Sequence, residues 1–485
     1  MNTEIRPVGM EIDPHAKVYK LDSLFLRAIE SEYQDFYNEI ARSQVVRELI
    51  EEKILVETRI SSHVIEGYKL VLEHPSTSFI SYPFEWSPSM FKDAALAILK
   101  FNIELMKHGL CTQDGDPWNI VFEGTSPLFI DFTSIIKMPE ESNGRWLPLK
   151  SFEQYCINTL LLMSYGYPTV ARCLLREVLN YPPEQLVSQL LKNSFYQVGH
   201  KDSIVLKSLY RVRKIKQDIY YVVEKDFREL LKDVLSKFRI GSPKDGIEEL
   251  EMTYQNLESL KVEPCKPRFL GSYINDDENL HCGDVYRSMQ RTREANKKAQ
   301  IIEGILSKIR PAKVLDMGCN YGLYGQIASE IGSKVVGIDL EEYALDFLYR
   351  HSKELDLNIM PLYINAVAPA EAIGFKEIPP LKVEERLKSD CVLCLALVHH
   401  LVFGITNMSF PHIAKVLDSY SRKFLILEFV SREDDSIQLY YSHRSSSYHW
   451  YSLDNIKREL GAFFFSIEMV ANISESRCIL LCEKK

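Results

Sequence analysis

The densest run of chemically useful residues in the chain is Asp316-Met-Gly318-Cys-Asn320-Tyr-Gly322-Leu-Tyr-Gly325. It follows the apolar residues 313–315 and leads into residues 323–331, whose spacing predicts a helix. A strand, a glycine-rich turn and a helix are what a nucleoside-bearing ligand needs. Glycines let backbone N–H groups come close, and a helix N-terminus favours negative charge. The spacing D-x-G-x-x-x-G puts the acid first and differs from the G-x-G-x-x-G of dinucleotide binders. A second apolar run, Lys334-Val-Val-Gly-Ile-Asp339, ends in a carboxylate. It lies about 20 residues on, where such folds place an acid on ribose hydroxyls. Either feature alone fits a plain strand-to-helix turn; together they point to a bound nucleoside.

Other strand ends also carry polar groups. Residues 359–365 close in Asn365. Residues 390–398 are almost wholly apolar, as a central parallel strand covered on both faces must be, and run into His399-His400. Ligands of open α/β sheets sit beyond the carboxyl ends of the strands, which puts this His pair at the rim. An imidazole there can take a proton; the bland alternative is two histidines capping a loop or helix. Glu428 lies within the apolar run 422–430, either paired in the site or at the sheet's exposed end. In the first half, Asp114-Gly-Asp-Pro-Trp-Asn119 precedes a short turn and Pro127-Leu-Phe-Ile-Asp131. Asp114, Asn119 and Asp131 are hard oxygen donors of the kind that suit Mg²⁺, although Asn and Asp are also common turn residues.

The glycine turn, in this form, resembles motif I of the class I S-adenosylmethionine (SAM)-dependent methyltransferases. The resemblance implies SAM as cofactor and an α/β, Rossmann-like sheet of seven strands with the last antiparallel. It implies that Asp316, Gly318, Asn320 and Gly322 hold the methionine end and the turn, Asp339 the ribose and Asn365 the adenine edge, with Ala396 in the same cofactor site. For a hydroxyl acceptor, His400 is the general base expected, with His399 second.

Asp-x4-Asn, a hairpin and an acid closing an apolar strand resemble the catalytic core of protein kinases and of aminoglycoside-phosphotransferase-like small-molecule kinases. That likeness implies that Asp114 orients an attacking hydroxyl while Asn119 and Asp131 hold magnesium on ATP phosphates. Residues 78–85 would then border the adenine pocket. The chain departs from the pattern. Thr112-Gln113 precede Asp114 where a His or Gly is expected, no glycine-rich phosphate loop comes before residue 85, and Lys20 is the candidate strand lysine. A plain polar turn, an inactive kinase-like module and active ATP/Mg phosphotransfer stand side by side.

Over residues 10–480, several phrases together are similar to one bacterial family of two-part methyltransferases, the NoeA-type nodulation methyltransferases. They are Ile80-Ser-Tyr-Pro-Phe-Glu-Trp86, Lys92-Asp-Ala-Ala-Leu96, Pro117-Trp-Asn119, Phe129-Ile-Asp131, Leu395-Ala-Leu-Val-His-His400 and Glu428-Phe-Val430. Here Asn365 stands where an acid is common, and Cys319 and Tyr321 flank Asn320 in the turn. Neither change removes a needed backbone approach.

The rest of the chain must position these groups. Residues 16–21, 68–72 and 78–82 read as strands, and 28–52 and 90–107 as helices. Residues 150–260 read as helical throughout, with apolar stripes over 152–163, 169–179, 184–192, 203–215 and 226–238. Linker composition at 239–246 or 261–269 places a boundary near 260. Residues 1–260 are then an α+β kinase-like domain, with a small lobe to about 85 and a large helical lobe to about 260. Residues 261–485 are the methyltransferase domain. In it, 286–309 and 344–354 read as helices, and 463–470 with 478–483 as the closing antiparallel pair. Residues 431–447, polar and rich in Tyr and Ser, are long for a plain connection and suit a cap facing the substrate.

At 485 residues, two or three domains are expected. A net charge of −9 argues against a nucleic-acid surface as the main purpose. No uncharged apolar run nears the ~18 residues of a membrane span, and residues 1–8 lack the apolar core of a signal peptide. Ten scattered cysteines suit a reducing cytosol, so a cytoplasmic protein is expected. Cys391-Val-Leu-Cys394 matches C-x-x-C but lies in a strand, where positions i and i+3 face opposite sides; both read as core. Three functions follow. The chain is a methyltransferase for an oxygen or nitrogen of a small molecule or saccharide-type acceptor, its kinase-like part positioning substrate or a protein partner. Alternatively, it is a bifunctional kinase–methyltransferase, or a binding protein with SAM as a structural ligand.

Overall fold

The computed structural model describes residues 6–7, 13–176, 181–197, 245–262, 296–371, 381–404, 406–445 and 447–484. In the first half, strands β1 (Arg6–Pro7), β2 (Ala16–Leu21), β3 (Leu24–Ile29), β4 (Arg59–Ile60) and β5 (Leu70–Pro75) form an antiparallel sheet in the order β1-β2-β3-β5-β4. The expected helix over 28–52 is corrected here. Its first residues finish β3, which hairpins with β2 through Asp22 and Ser23. The rest is two helices, Gln34–Arg42 and Gln44–Glu51, parted at Ser43, whose hydroxyl accepts from Val46 N–H at 3.3 Å.

The helix Pro88–Met106, capped by Ser87, is the spine of this half and buries Met90, Phe91, Ala94, Ile98 and Leu105. Strands β6 (Leu110–Thr112) and β9 (Ile135–Lys137) pair antiparallel, as do β7 (Ile120–Glu123) and β8 (Ser126–Phe129), the latter forming the expected hairpin. A helical run from Leu149 to Ser164, with a π-helical turn over Glu153–Ile157, is followed by helices Pro168–Leu175, Glu184–Gln197 and Gly246–Ser259. The stripes expected over 203–215 and 226–238 lie outside the described residues, as do most of both linker candidates and the start of the helix expected from 286.

In the second half a seven-stranded sheet runs β12-β11-β10-β13-β14-β16-β15. The strands are β10 (Lys313–Met317), β11 (Lys334–Asp339), β12 (Ile359–Tyr363), β13 (Ser389–Cys394), β14 (Ser421–Val430), β15 (Ser466–Asn472) and β16 (Arg477–Glu483). The first five are parallel, and β16 is antiparallel to both β14 and β15. After β10 the chain moves one way, to β11 and β12, then crosses to β13 on the other side. That reversal opens a crevice at the carboxyl ends of β10 and β13. The helices Lys297–Ile309, Leu323–Glu330 and Glu342–Glu354 cover the sheet. Among the described residues, no helix is long and apolar enough to cross a membrane.

The strand expected over 390–398 ends at Cys394. Ala396 takes a left-handed φ of 52°, and a helix over Val398–Phe403 begins. Cys391 and Cys394 are both buried in β13, and burial pushes both thiols up. The strand expected over 78–82 does not form either. Its backbone is held by the second half instead: Arg386 donates to Ile80 O at 2.6 Å and Lys313 to Ser78 O.

The two halves share one apolar core, in which Phe84, Trp86 and Phe122 join Tyr349, Leu362 and Val402. Buried polar pairs cross the same boundary. The Arg386 guanidinium grips both oxygens of Glu85, one at 2.9 Å, and stacks 4.1 Å from the Tyr82 ring. Asp346, wholly buried, accepts from Ser89 N at 2.7 Å and Ser89 Oγ at 2.9 Å. Tyr349 Oη donates to Asp93 at 2.7 Å.

Four stability results follow from this packing. Arg386→Met strands the Glu85 carboxylate in the core and should lower unfolding free energy by about 3–5 kcal/mol in urea titrations. Lys100→Ala, which removes an exposed pair with Glu52, should cost under ~1 kcal/mol. At Gly322, φ is 83° and an added Cβ would sit 2.4 Å from Leu348 Cδ1. Gly322→Ala should therefore cost about 1–3 kcal/mol. Gly304→Ala, inside a helix with open space around it, should add ~0.5–1 kcal/mol in the same titrations.

Candidate active site

Everything at the crevice starts from the turn after β10. Asp316 is buried beneath it, and its Oδ2 accepts from Gly325 N–H at 3.0 Å. Burial, aided by the charge of Asp339, raises its pKa to about 7. Gly318 and Gly322 have φ of 75° and 83°, and Asn320 between them has 49°. Three left-handed residues in five fold the chain back on itself, and asparagine is among the few side chains that tolerate that region. Gly318 and Cys319 N–H both donate to Ile338 O, at 2.8 and 3.1 Å, so the turn is laced to β11.

Asp339, at the end of β11, completes the lacing. Its Oδ2 accepts from Asn320 N–H at 2.8 Å; its Oδ1 accepts from Leu340 and Glu341 N–H at 2.7 and 3.0 Å. The two acids of the sequence reading therefore stand on adjacent strands at one rim. From Leu340, the residue after Asp339, a cavity of about 340 Å³ opens; neither acid lines it. Leu340, Tyr363 and Asn365 line it from the second half, and Leu340 is 52% exposed there despite its apolar side chain. Asn365 follows β12 directly. Its Oδ1 accepts from Val367 and Ala368 N–H at 3.1 and 3.3 Å, which leaves its Nδ2 to donate.

On the other side of the crevice, the left-handed Ala396 turns β13 into the helix Val398–Phe403. The two histidines of this helix part company. His399 is buried, with Nδ1 lacking a hydrogen-bond partner, and burial and the adjacent His400 lower its pKa to about 3. His400 is exposed, and its Nδ1 lies 2.9 Å from Tyr441 Oη. Desolvation by the surrounding elements lowers its pKa, partly opposed by the charge of Asp339. Tyr441 comes from the helix Asp435–Ser445, which lies within the segment expected to cap the substrate. Its tyrosine-rich composition was the signal for a cap; its partner was not readable. Behind the histidines, Glu428 is wholly buried and paired with Lys298 and Arg477. Arg477 also clamps Asp434 at 2.8 Å through Nε and Nη2.

The first-half cluster also comes together. Asn119 Nδ2 donates to Asp114 Oδ1 at 2.6 Å, and Asp114 carries a pKa raised to about 7 by burial and by the charges of Asp116 and Asp131. Asp116, not singled out in sequence, is raised to about 6 by burial. The strand cation is Arg27 of β3, and Lys20 instead lies 3.8 Å from the Phe25 ring. Arg27 Nη1 donates to Asp131 Oδ1 at 2.7 Å and to Thr133 Oγ1, and lies 3.5 Å from Asp13. A lone arginine in Leu-Phe-Leu-Arg-Ala-Ile was a readable sign of a buried charge needing a partner. Among the described residues, no group of three or more His, Cys, Asp or Glu is arranged to hold a metal ion.

No family model matches the chain. It is 27% identical over 439 residues to nodulation protein NoeA of Rhizobium meliloti (strain 1021), spanning 89% of this chain and 86% of that one. A 102-residue stretch, 21% of this chain and 38% of the other, is 28% identical to a ubiquinone biosynthesis O-methyltransferase of Leptothrix cholodnii. The solved structure of the bifunctional kinase-methyltransferase WbdD is 16% identical over 42% of each chain, with a TM-score of 0.31. With the acid-first glycine turn on β10 and the strand order of the sheet, these matches make the chain a NoeA homologue and support a SAM-dependent methyltransferase.

Proposed function

We propose that the crevice beyond β10, β11 and β13 binds SAM and that the chain methylates an oxygen, or a nitrogen, of a small-molecule or saccharide-type acceptor. The observation that carries this reading is the lacing of Asp339 to the left-handed turn through Asn320 N–H, beside a cavity of about 340 Å³. That size lies within the ~300–1,000 Å³ of small-molecule sites. The residues present fit the cofactor. The turn of Gly318, Asn320 and Gly322 gives close backbone approach for the methionine end, over Asp316. Asp339 offers a carboxylate to the ribose. Leu340 offers an apolar face to the base, and the free Nδ2 of Asn365 suits a ring nitrogen better than the exocyclic amine. Ala396 brings β13's end to the same rim. Bound SAM supplies a methyl group on a cationic sulfur, a good leaving group, so the chain's work is alignment and exclusion of water.

His400 is the residue we assign to accept the acceptor's proton. It is exposed at the rim, it feels the Asp339 charge, and its lowered pKa keeps it neutral and basic at pH 7. Tyr441 orients it through Nδ1. His399, buried and neutral, supports the helix rather than the proton transfer. The kinase-like first half is assigned to positioning the acceptor or a protein partner.

Phosphotransfer is the second reading, favoured by the meeting of Asp114, Asn119 and Asp131. Mg²⁺ fits Asp131 poorly, because Arg27 already neutralises that carboxylate. No step is assigned to ATP or magnesium here. Magnesium-dependent ATP hydrolysis by the pure chain should be at background; hydrolysis abolished by Asp131→Ala would restore the bifunctional reading.

Incubation with labelled SAM and fractionated cell metabolites should label one acceptor fraction. With that acceptor, His400→Ala should slow turnover by about 10²–10⁴-fold and leave S-adenosylhomocysteine (SAH) affinity unchanged by calorimetry. Turnover should fall as pH drops through a value below about 6.5, where a His400 of lowered pKa takes up its proton. Asp339→Ala should weaken SAH binding at least about tenfold. Unchanged affinity would sink the ribose assignment.

A further inference from the structure

The cavity beside Asp339 is not built by the second half alone. Besides Leu340 and Asn365, its lining includes Phe84, Thr169, Cys173 and Arg176, all from the first half. Three of these lie on or just after the helix Pro168–Leu175. That helix is bolted to the floor of the cavity. Arg172, buried, pairs with Glu342, the first residue of the helix that follows Asp339 and Leu340. The same guanidinium stacks 4.3 Å from the Tyr363 ring, at the end of β12, and donates to Trp86 O at 3.1 Å. Arg176 adds two bonds to Glu371 O, each 3.1 Å. The wall and the two strand ends it faces therefore cannot shift independently.

We propose that the first half forms one wall of the cofactor site, with Thr169, Cys173 and Arg176 covering the adenine end of bound SAM. This rests on the reading of the crevice given above. It gives the kinase-like half a role that needs no nucleotide chemistry of its own. Cofactor binding then requires both halves in register, and any partner or acceptor that moves the helix Pro168–Leu175 changes cofactor affinity.

Cys173 makes the wall testable, because among the described cysteines it is the exposed one. The full chain is treated with iodoacetamide, and alkylation is followed peptide by peptide by mass spectrometry, which separates Cys173 from every other cysteine. Saturating SAH should slow Cys173 alkylation at least about tenfold. 5′-Methylthioadenosine, which carries only the adenosine end, should protect likewise, and homocysteine should not. Cys173→Trp, which fills the cavity from an exposed position, should weaken SAH binding by about tenfold or more while leaving the thermal midpoint of the unliganded chain unchanged. SAH that binds by calorimetry without protecting Cys173 overturns the wall and leaves the SAM reading intact. Failure of SAH to bind at all overturns both.

Discussion

Glu85 and Arg386 are two opposite charges with nowhere to go but each other. Each side chain is 1% exposed, and they come from segments 301 residues apart in sequence. Taking such ions out of water costs several kcal/mol apiece, and only a two-pronged, well-aligned pairing offsets it. What the pair confers is register more than raw stability: an ångström of slip would leave both charges unmatched inside an apolar core. Arg172 with Glu342, and Asp346 with the Ser89 N–H and hydroxyl, impose the same condition at two further points. The two halves are thereby held in one alignment, and the helix Pro168–Leu175 is held over the end of β11.

That alignment was the least legible feature in the sequence, for a physical reason. Hydrophobic period reports which face of an element is buried, not what buries it. The acid-first turn, the strand ending in Asp339 and the order of elements in the second half could be read because each is a local pattern of strand, turn and helix. The Leu-Phe-Leu-Arg-Ala-Ile of β3 could not, since six apolar-rich residues satisfy a helical stripe and a strand equally well. The hairpin with β2 decided it. Residues 390–398 misled in the same way. The apolar run passes without a break from β13 into the buried helix Val398–Phe403, and only the left-handed Ala396 marks the corner. Arg27 was missed as a site residue because its partner Asp131 lies 104 positions away.

The paired histidines show how far environment can separate identical neighbours. Their rings lie 4.1 Å apart. His399 is buried, and that desolvation, with the neighbouring His400 and the more distant charge of Arg477, lowers its pKa to about 3. His400, one residue on, meets solvent, Tyr441 and the distant pull of Asp339, and its pKa is lowered less strongly. Adjacent groups pushed apart in this way are how a site obtains one structural and one titrating imidazole. Glu428 belongs to the structural side of that division. Paired with Lys298 and Arg477, it ties β14, β16 and the helix Lys297–Ile309 together beneath the rim.

The same electrostatic accounting bears on the first half. Asp114, Asp116 and Asp131 crowd into one place, and burial, with the neighbouring carboxylates, makes Asp114 and Asp116 hold their protons toward neutral pH. The counter-charge that is present, Arg27, is spent on Asp131, Thr133 and Asp13. A divalent ion would have to compete with a guanidinium that is already desolvated and hydrogen-bonded, which costs far more than displacing water. The cluster therefore ties β3, through Arg27, to the stretches that carry Asp13, Asp131 and Thr133.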